Sequence, residues 1–324
     1  MIRLIHRGGI AALLLGLLLM VSGQGLMIVH GVSDLSTHLS WSFGGTPVQI
    51  PPALLVGLSY FILLMIGLMV NAFLNRFQFF EERTTWPFFF LMAFSLSTPG
   101  VFNQPGEMVF VLLLFLLYNR LFHLNEEEIG ELQLYMDVGT LFGLAVLFYS
   151  PGLMMLPMII LVLNQFALLD FNRFLLFLLS VLIVVIPGWI TAWYFISENW
   201  VLNQLNPYTH LHLDLTALLQ PIVLYPVIVL FIGALVVYPV MNRELTFMQN
   251  HNRKIISTLF LQFLFGLIIA VLMGEAVAQH LAVSTIALVA LLAFGVGWIR
   301  NQWMGLIYLI LFVFAWNLIF WEYL

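Results

Sequence analysis

The side chains able to do chemistry are few, and they fall in four short clusters. His30, Asp34 and His38 are spaced i, i+4, i+8, which sets all three on one face if that stretch is helical. Asn103, Gln104 and Glu107 make a second cluster, and Glu198, His210, His212 and Asp214 a third. In His210-x-His212-x-Asp214 the alternation places all three on one side of an extended chain. Glu275 and His280 form the fourth. Imidazole and carboxylate suit a divalent cation, so His30, Asp34, His212 and Asp214 are candidate metal ligands. Asp34 and Glu107 are candidate catalytic carboxylates, able to accept a proton or to hold such an ion. Neither histidine spacing matches a strong metal signature such as His-Glu-x-x-His. The ordinary reading of these histidines is hydrogen bonding to lipid headgroups and loop backbone.

The elements that must carry these groups follow from composition. The 324-residue chain is 63% hydrophobic and 8% charged, with a mean hydropathy of +1.07. A soluble domain carries about 25% charged residues, so this surface is built for lipid and the chain reads as a polytopic membrane protein. A β-barrel is excluded because the apolar runs are continuous rather than alternating. The absence of cysteine removes disulfides, iron–sulfur clusters and thiolate zinc sites. With a net charge of −5 and no basic run, no nucleic-acid footprint is present.

A hydrocarbon core of about 30 Å needs about 20 apolar residues per helix. Eleven candidates satisfy the pattern, near residues 8–29, 52–74, 84–96, 108–122, 134–150, 153–169, 174–195, 218–240, 255–274, 281–298 and 303–320. Lys and Arg collect in cytoplasmic loops. With eleven spans and a cytoplasmic N-terminus, Arg3, Arg7, Arg76, Arg83, Arg120, Arg173, Arg243, Arg253, Lys254 and Arg300 all fall on the inner side. The C-terminus then lies in the periplasm, and the four clusters that opened this section lie outside, with no Lys or Arg beside them. A cleaved signal peptide is the alternative for the first span, with Val21-Ser22-Gly23 as its small-residue site. Its long apolar stretch favours a retained helix.

Trp41, Trp189, Trp193, Trp200, Trp316 and Trp321 mark the outer interface, and Trp86, Trp298 and Trp303 the inner one. No internal repeat divides the chain, so residues 1–324 read as one integral membrane domain, all-α in class. The third and fourth spans are short, which requires burial among longer neighbours or a thinned bilayer. On the inner side, Glu126, Glu127, Glu128 and Glu131 read as a solvated helix start that complements the helix dipole. Asp170 and Arg173 read as a local ion pair or cap, and Arg253-Lys254 as a topological signal touching anionic lipid. No ionisable group falls in the middle of an expected span, which weighs against an ion-coupled transporter.

Several features occur in an order that resembles a known superfamily. An outer loop bearing Asp34 follows the first span, and Ile50-Pro51-Pro52 opens the second. Glu107 supplies a second acidic position. Gly139-Thr140-Leu141-Phe142-Gly143-Leu144-Ala145-Val146-Leu147 forms a small-residue helix, and Pro187-Gly188-Trp189 closes a later one. Residues 1–195, and 84–195 above all, are in this respect similar to the multi-pass GT-C glycosyltransferases, which take a sugar from a polyprenyl-phosphate carrier at the outer membrane face. Residues 218–324 add further helices. The whole chain also resembles a Bacteroidota inner-membrane protein family of unknown function, through Leu147-Phe148-Tyr149-Ser150-Pro151, Phe171-Asn172-Arg173 and Arg253-Lys254-Ile255.

The resemblance implies a bacterial inner-membrane glycosyltransferase with Asp34 as base or metal ligand. It also implies basic residues that grip the donor phosphate, and the outer clusters contain none. A divalent ion held by Asp34, Glu107 and the histidines would replace them, or His38 and His280 would bind phosphate as imidazolium. His210 and Glu275 complete the expected substrate-binding set. Two other classes fit the same bundle: a non-catalytic scaffold with a protein partner in the membrane, and a carrier for a lipid or hydrophobic solute.

Overall fold

A computed structural model describes residues 14, 41–43, 46–48, 52–77, 84–97, 105–122, 131–166, 170–195, 250–273 and 280–298. The expected spans at 8–29, 218–240 and 303–320 lie outside these residues, apart from Leu14. Two short strands, β1 (Trp41–Phe43) and β2 (Thr46–Val48), pair antiparallel with Trp41 opposite Val48 and Phe43 opposite Thr46. They fall in a stretch read as loop from the sequence. Glycines at 44 and 45 between them are the residue type that two-residue hairpin turns favour. The other described elements are helical.

Helix α1 (Pro52–Arg76) and α2 (Trp86–Ser97) meet in a clasp at Asn75. The Asn75 amide donates to the Thr84 carbonyl at 2.7 Å, and its oxygen accepts from the Thr84 N–H at 2.8 Å. The Thr84 hydroxyl oxygen in turn accepts from the Trp86 N–H, capping α2. Helix α3 (Pro105–Phe122) begins three residues before the expected 108. Proline at the first helical position and an acid in the first turn are helix-start signals, so Pro105 opens the helix rather than closing the loop before it. Helix α4 (Glu131–Phe148) follows.

The stretch expected as one helix over 153–169 is divided. A 3₁₀ helix, Ser150–Met155, precedes α5 (Leu156–Gln165). Pro151 and Pro157 each stand at the start of their segment, where a missing N–H costs least, and together they prevent one continuous ladder. Helix α6 (Phe171–Phe195), α7 (Asn250–Leu272) and α8 (Ala282–Trp298) complete the described set.

Helices α4 and α6 run parallel and very close. A Cβ at Gly139 would stand 2.6 Å from the Phe177 carbonyl oxygen, and one at Gly143 would stand 3.1 Å from that of Val181. Small residues four apart permit such backbone contact between membrane helices, where packing rather than water expulsion drives association. Gly139 and Gly143 thus form a helix seam. On its other side α6 exposes Leu175, Leu179, Leu182, Ile183, Ile186 and Ile190, an apolar face fit for lipid.

Two helices are enclosed instead. Every residue of α8 from Ala282 to Phe294 is buried, and so are Trp86, Phe88, Phe89, Phe90, Leu91 and Met92 of α2. A helix apolar on all sides belongs in an interior. At about 1.5 Å per residue, α2 is about 18 Å long, too short to cross alone. Among the described residues, four segments are long and apolar enough to cross a membrane: Gly57–Arg76, Pro105–Phe122, Phe171–Tyr194 and Asn252–Leu272. The chain is a helical membrane protein.

Candidate functional site

The described cations gather at one end of the bundle. Asn252, at the start of α7, donates its amide to the Phe77 carbonyl just past Arg76. Phe77 packs edge-on against Phe122 at the end of α3, and Phe122 against Phe166 after α5. The Lys254 ammonium sits 4.9 Å over the Phe166 ring, and the Gln165 amide donates to the Ser257 hydroxyl at 2.9 Å. Arg120 binds the Asp137 carboxylate at 2.9 Å. Because α4 and α6 are parallel, Arg173 shares the Asp137 end.

Glu107 belongs to the opposite end of α3. It was expected in an outer loop; the structure places it in the first turn of α3, with no exposed surface. About 20 Å of helix separates it from Arg120. Its Oε1 accepts the Val283 N–H at 3.1 Å, and the Ala282 N–H also faces the carboxylate. A helix start leaves its first N–H groups unpaired and carries a partial positive charge. Glu107 therefore answers two helix starts at once, its own and that of α8.

At the following peptide unit, the Gln262 amide donates to the Val283 carbonyl at 3.2 Å. That bond fixes the amide orientation, because a carbonyl can only accept. Gln262 lies near the middle of the 23-residue α7, about 15 Å along the axis from Leu272. Gly266, one turn on, permits the approach: a Cβ there would lie 2.8 Å from the Ser284 nitrogen. Helix α8 thus starts beside the interior of α7 rather than at its end. At this turn, Glu107 Oε2 and Gln262 Oε1 are buried and have no hydrogen-bond partner among the described residues.

The same turn carries His280. Its Nδ1 lies 2.9 Å from the Tyr149 hydroxyl at the end of α4, and Tyr149 packs on Phe110 one turn after Glu107. His280 sits in the connection before α8, outside the candidate spans, with a partly accessible edge. Enclosure of most of the ring still pushes its imidazole down to about 4, since burial penalises the charged form. His280 was expected to bind phosphate as imidazolium, the form that this burial disfavours.

Of the groups expected to act, the structure brings Glu107 and His280 to one turn of chain. His30, Asp34, His38, His210, His212, Asp214 and Glu275 lie outside the described residues. Among the described residues no three His, Asp or Glu side chains converge as a metal would require. Sequence reasoning missed Gln262 and Tyr149. The signal for Gln262 was available as an amide in the middle of an apolar run, where polar groups are costly. No protein-family model, curated protein or solved structure matches this chain.

Proposed function

We propose that the chain is a GT-C-like glycosyltransferase of the bacterial inner membrane that takes a sugar from a polyprenyl-phosphate carrier at the periplasmic face. The observation that carries this reading is the Glu107 carboxylate, anchored through one oxygen and free at the other. An ionisable group among membrane helices is costly and is a functional candidate by default. In this reaction a carboxylate accepts the proton of the acceptor hydroxyl, the acceptor oxygen bonds to the anomeric carbon, and the bond to phosphate breaks. Glu107 or Asp34 supplies the base, and membrane lipid surrounds the polyprenyl chain. A divalent ion would draw on Asp34, His30, His212 and Asp214, and no step here depends on one.

The test is release of polyprenyl phosphate from lipid-linked sugar donors by the purified protein in liposomes. Glu107→Gln keeps an acceptor for the Val283 N–H, so it should fold while losing turnover by about 100-fold or more, the usual worth of a general base. Undiminished turnover in E107Q and in Asp34→Asn, or no donor consumed by the wild type, overturns the reading.

A second reading, a non-catalytic membrane scaffold, is favoured by the position of Glu107 Oε1 as the cap of α8. On that reading E107Q behaves as wild type in every assay. Only the loss of the acceptor, as in Glu107→Leu, would disturb assembly with a membrane partner.

A further inference from the structure

We propose that His280 is an acid-released latch: as a neutral ring it holds the first turn of α8 against the end of α4, and a proton on it frees that turn and uncovers Glu107. His280 stands two residues before Ala282, where α8 begins. Its Nδ1 meets the Tyr149 hydroxyl at 2.9 Å, with the two ring centroids 5.6 Å apart. Tyr149 is buried and packs on Phe110, and Phe110 in turn lies against Gly152. One turn earlier on α3, Gly106 rests on the Phe148 carbonyl so closely that no Cβ would fit. The start of α3 and the end of α4 thus form a wall in backbone contact, and the α8 turn is fastened to it by His280 on Tyr149 and by Val283 on Glu107.

Enclosure makes this fastening sensitive to acid. A neutral imidazole has one donor and one acceptor nitrogen, so a single hydroxyl suits it in an apolar setting. An imidazolium would keep a bond to that hydroxyl, which can turn to accept, but its charge would give up water without gaining an anion. Among the described residues no carboxylate forms an ion pair with His280. Enclosure accordingly pushes the ring down to about 4, against an ordinary value near 6.5.

The neighbouring elements bring few other charges. Helix α3 brings Glu107, whose Oε1 is taken by the Val283 N–H, and farther along Tyr118 and Arg120. Helix α4 brings Tyr149 and, toward its other end, Tyr135 and Asp137. Helix α7 carries Arg253 and Lys254 at the cation-bearing end, and α1 carries Tyr60 and, at its far end, Arg76. The 3₁₀ turn, α2, α5 and α8 bring none. An open turn returns the ring to water, where it takes up a proton near its ordinary value. The ratio of open to closed turn therefore rises as pH falls below about 6.5 and levels off near 4. Between pH 7.5 and 5.5 the rise is about tenfold. Opening also draws the Val283 N–H away from Glu107 and lets water reach the carboxylate. The inference does not rest on sugar transfer.

The test is hydrogen exchange of the full-length protein in lipid nanodiscs, read by mass spectrometry on peptides covering residues 280–288 and corrected at each pH for the intrinsic exchange rate. In the wild type the protection of that stretch should fall about tenfold from pH 7.5 to pH 5.5, while peptides over Asn75 and Thr84 keep theirs. His280→Gln should hold protection constant over the same range. Tyr149→Phe leaves the imidazole in place, so it should lower protection about fivefold at every pH, the usual contribution of one hydrogen bond, and keep the pH dependence. That variant decides the matter if His280→Gln does not fold. A wild-type fall of less than about threefold overturns the proposal, and amides that exchange at neither pH count as no fall. So does an equal fall in His280→Gln, a fall shared by the Asn75 and Thr84 peptides, or a Tyr149→Phe protein whose protection no longer depends on pH. No sugar enters any arm, so failure here is distinguishable from failure of the transferase reading.

Discussion

The two ends of α3 are held by different kinds of bond. Near Phe122 the neighbours are joined mostly side chain to side chain, with aromatic rings in series, Lys254 over Phe166, Gln165 to Ser257 and Arg120 to Asp137, and Asn252 adds one bond to the Phe77 carbonyl. Most of these partners keep some contact with their surroundings, and Arg120 and Asp137 are 30% and 35% exposed. Near Glu107 the bonds at Val283 run from fully buried side chains to backbone, with the partly buried Tyr149–His280 pair beside them. A polar interaction that keeps its access to water is cheap to lose, and one that has given up that access is not. The cation-bearing end should therefore tolerate change, and the Glu107 end should not.

The largest test of that contrast is acid. His280 has its ordinary value near 6.5 when unfolded and about 4 when folded. The unfolded chain binds the proton first, so this contribution is complete above about pH 6.5 and is lost as pH falls toward 4. The slope is at most about 1.4 kcal/mol per pH unit, reduced by the partly accessible edge of the ring. Thermal melts in detergent at pH 7.5, 5.5 and 4.5 should show it, and His280→Gln should flatten the trend. Next comes Glu107→Leu, which strands the Val283 N–H and should cost about 2–3 kcal/mol, read as a lower melting temperature than E107Q. Tyr149→Phe removes one hydrogen bond to His280 and should cost about 1 kcal/mol. Asp137→Asn should cost under about 1 kcal/mol, and less at high salt. If Asp137→Asn proves more damaging than Glu107→Leu, the contrast is inverted and the description of the Glu107 end fails with it.

Hydropathy located most of the described helices because an apolar run of fixed length has few other uses in this composition. Residues 52–74, 84–96, 174–195, 255–274 and 281–298 all fall within a few residues of observed helices. The gathering of Arg76, Arg120, Arg173, Arg253 and Lys254 at one end was also legible, since charge resists burial whatever the fold. The errors are local. The expected start at 108 left Pro105 outside the helix although proline is at home as a first helical residue, and that small shift moved Glu107 from an outer loop into a buried turn. The pairing of Gln262 with Val283, and of Tyr149 with His280, carries no periodicity at all. It depends on how far α8 descends beside α7, a tertiary fact set by Gly266 and by neighbours distant in sequence. The Gly139–Gly143 spacing was noticed as a family-like signature, while its physical use is the close parallel packing against α6.

The shortness of α2 also bears on the order in which the molecule is made. A segment of 12 residues gives the insertion machinery too little length to release as an independent span, and its flanking peptide groups have nowhere to turn in hydrocarbon. Its shelter includes α8, synthesised almost 200 positions later. A growing chain must therefore keep its early aromatic segment guarded, by the translocation channel or by a chaperone, until the far end arrives. Ribosome-stalled chains ending before Ala282 should leave α2 open to water-soluble reagents, and chains extended past Trp298 should close it.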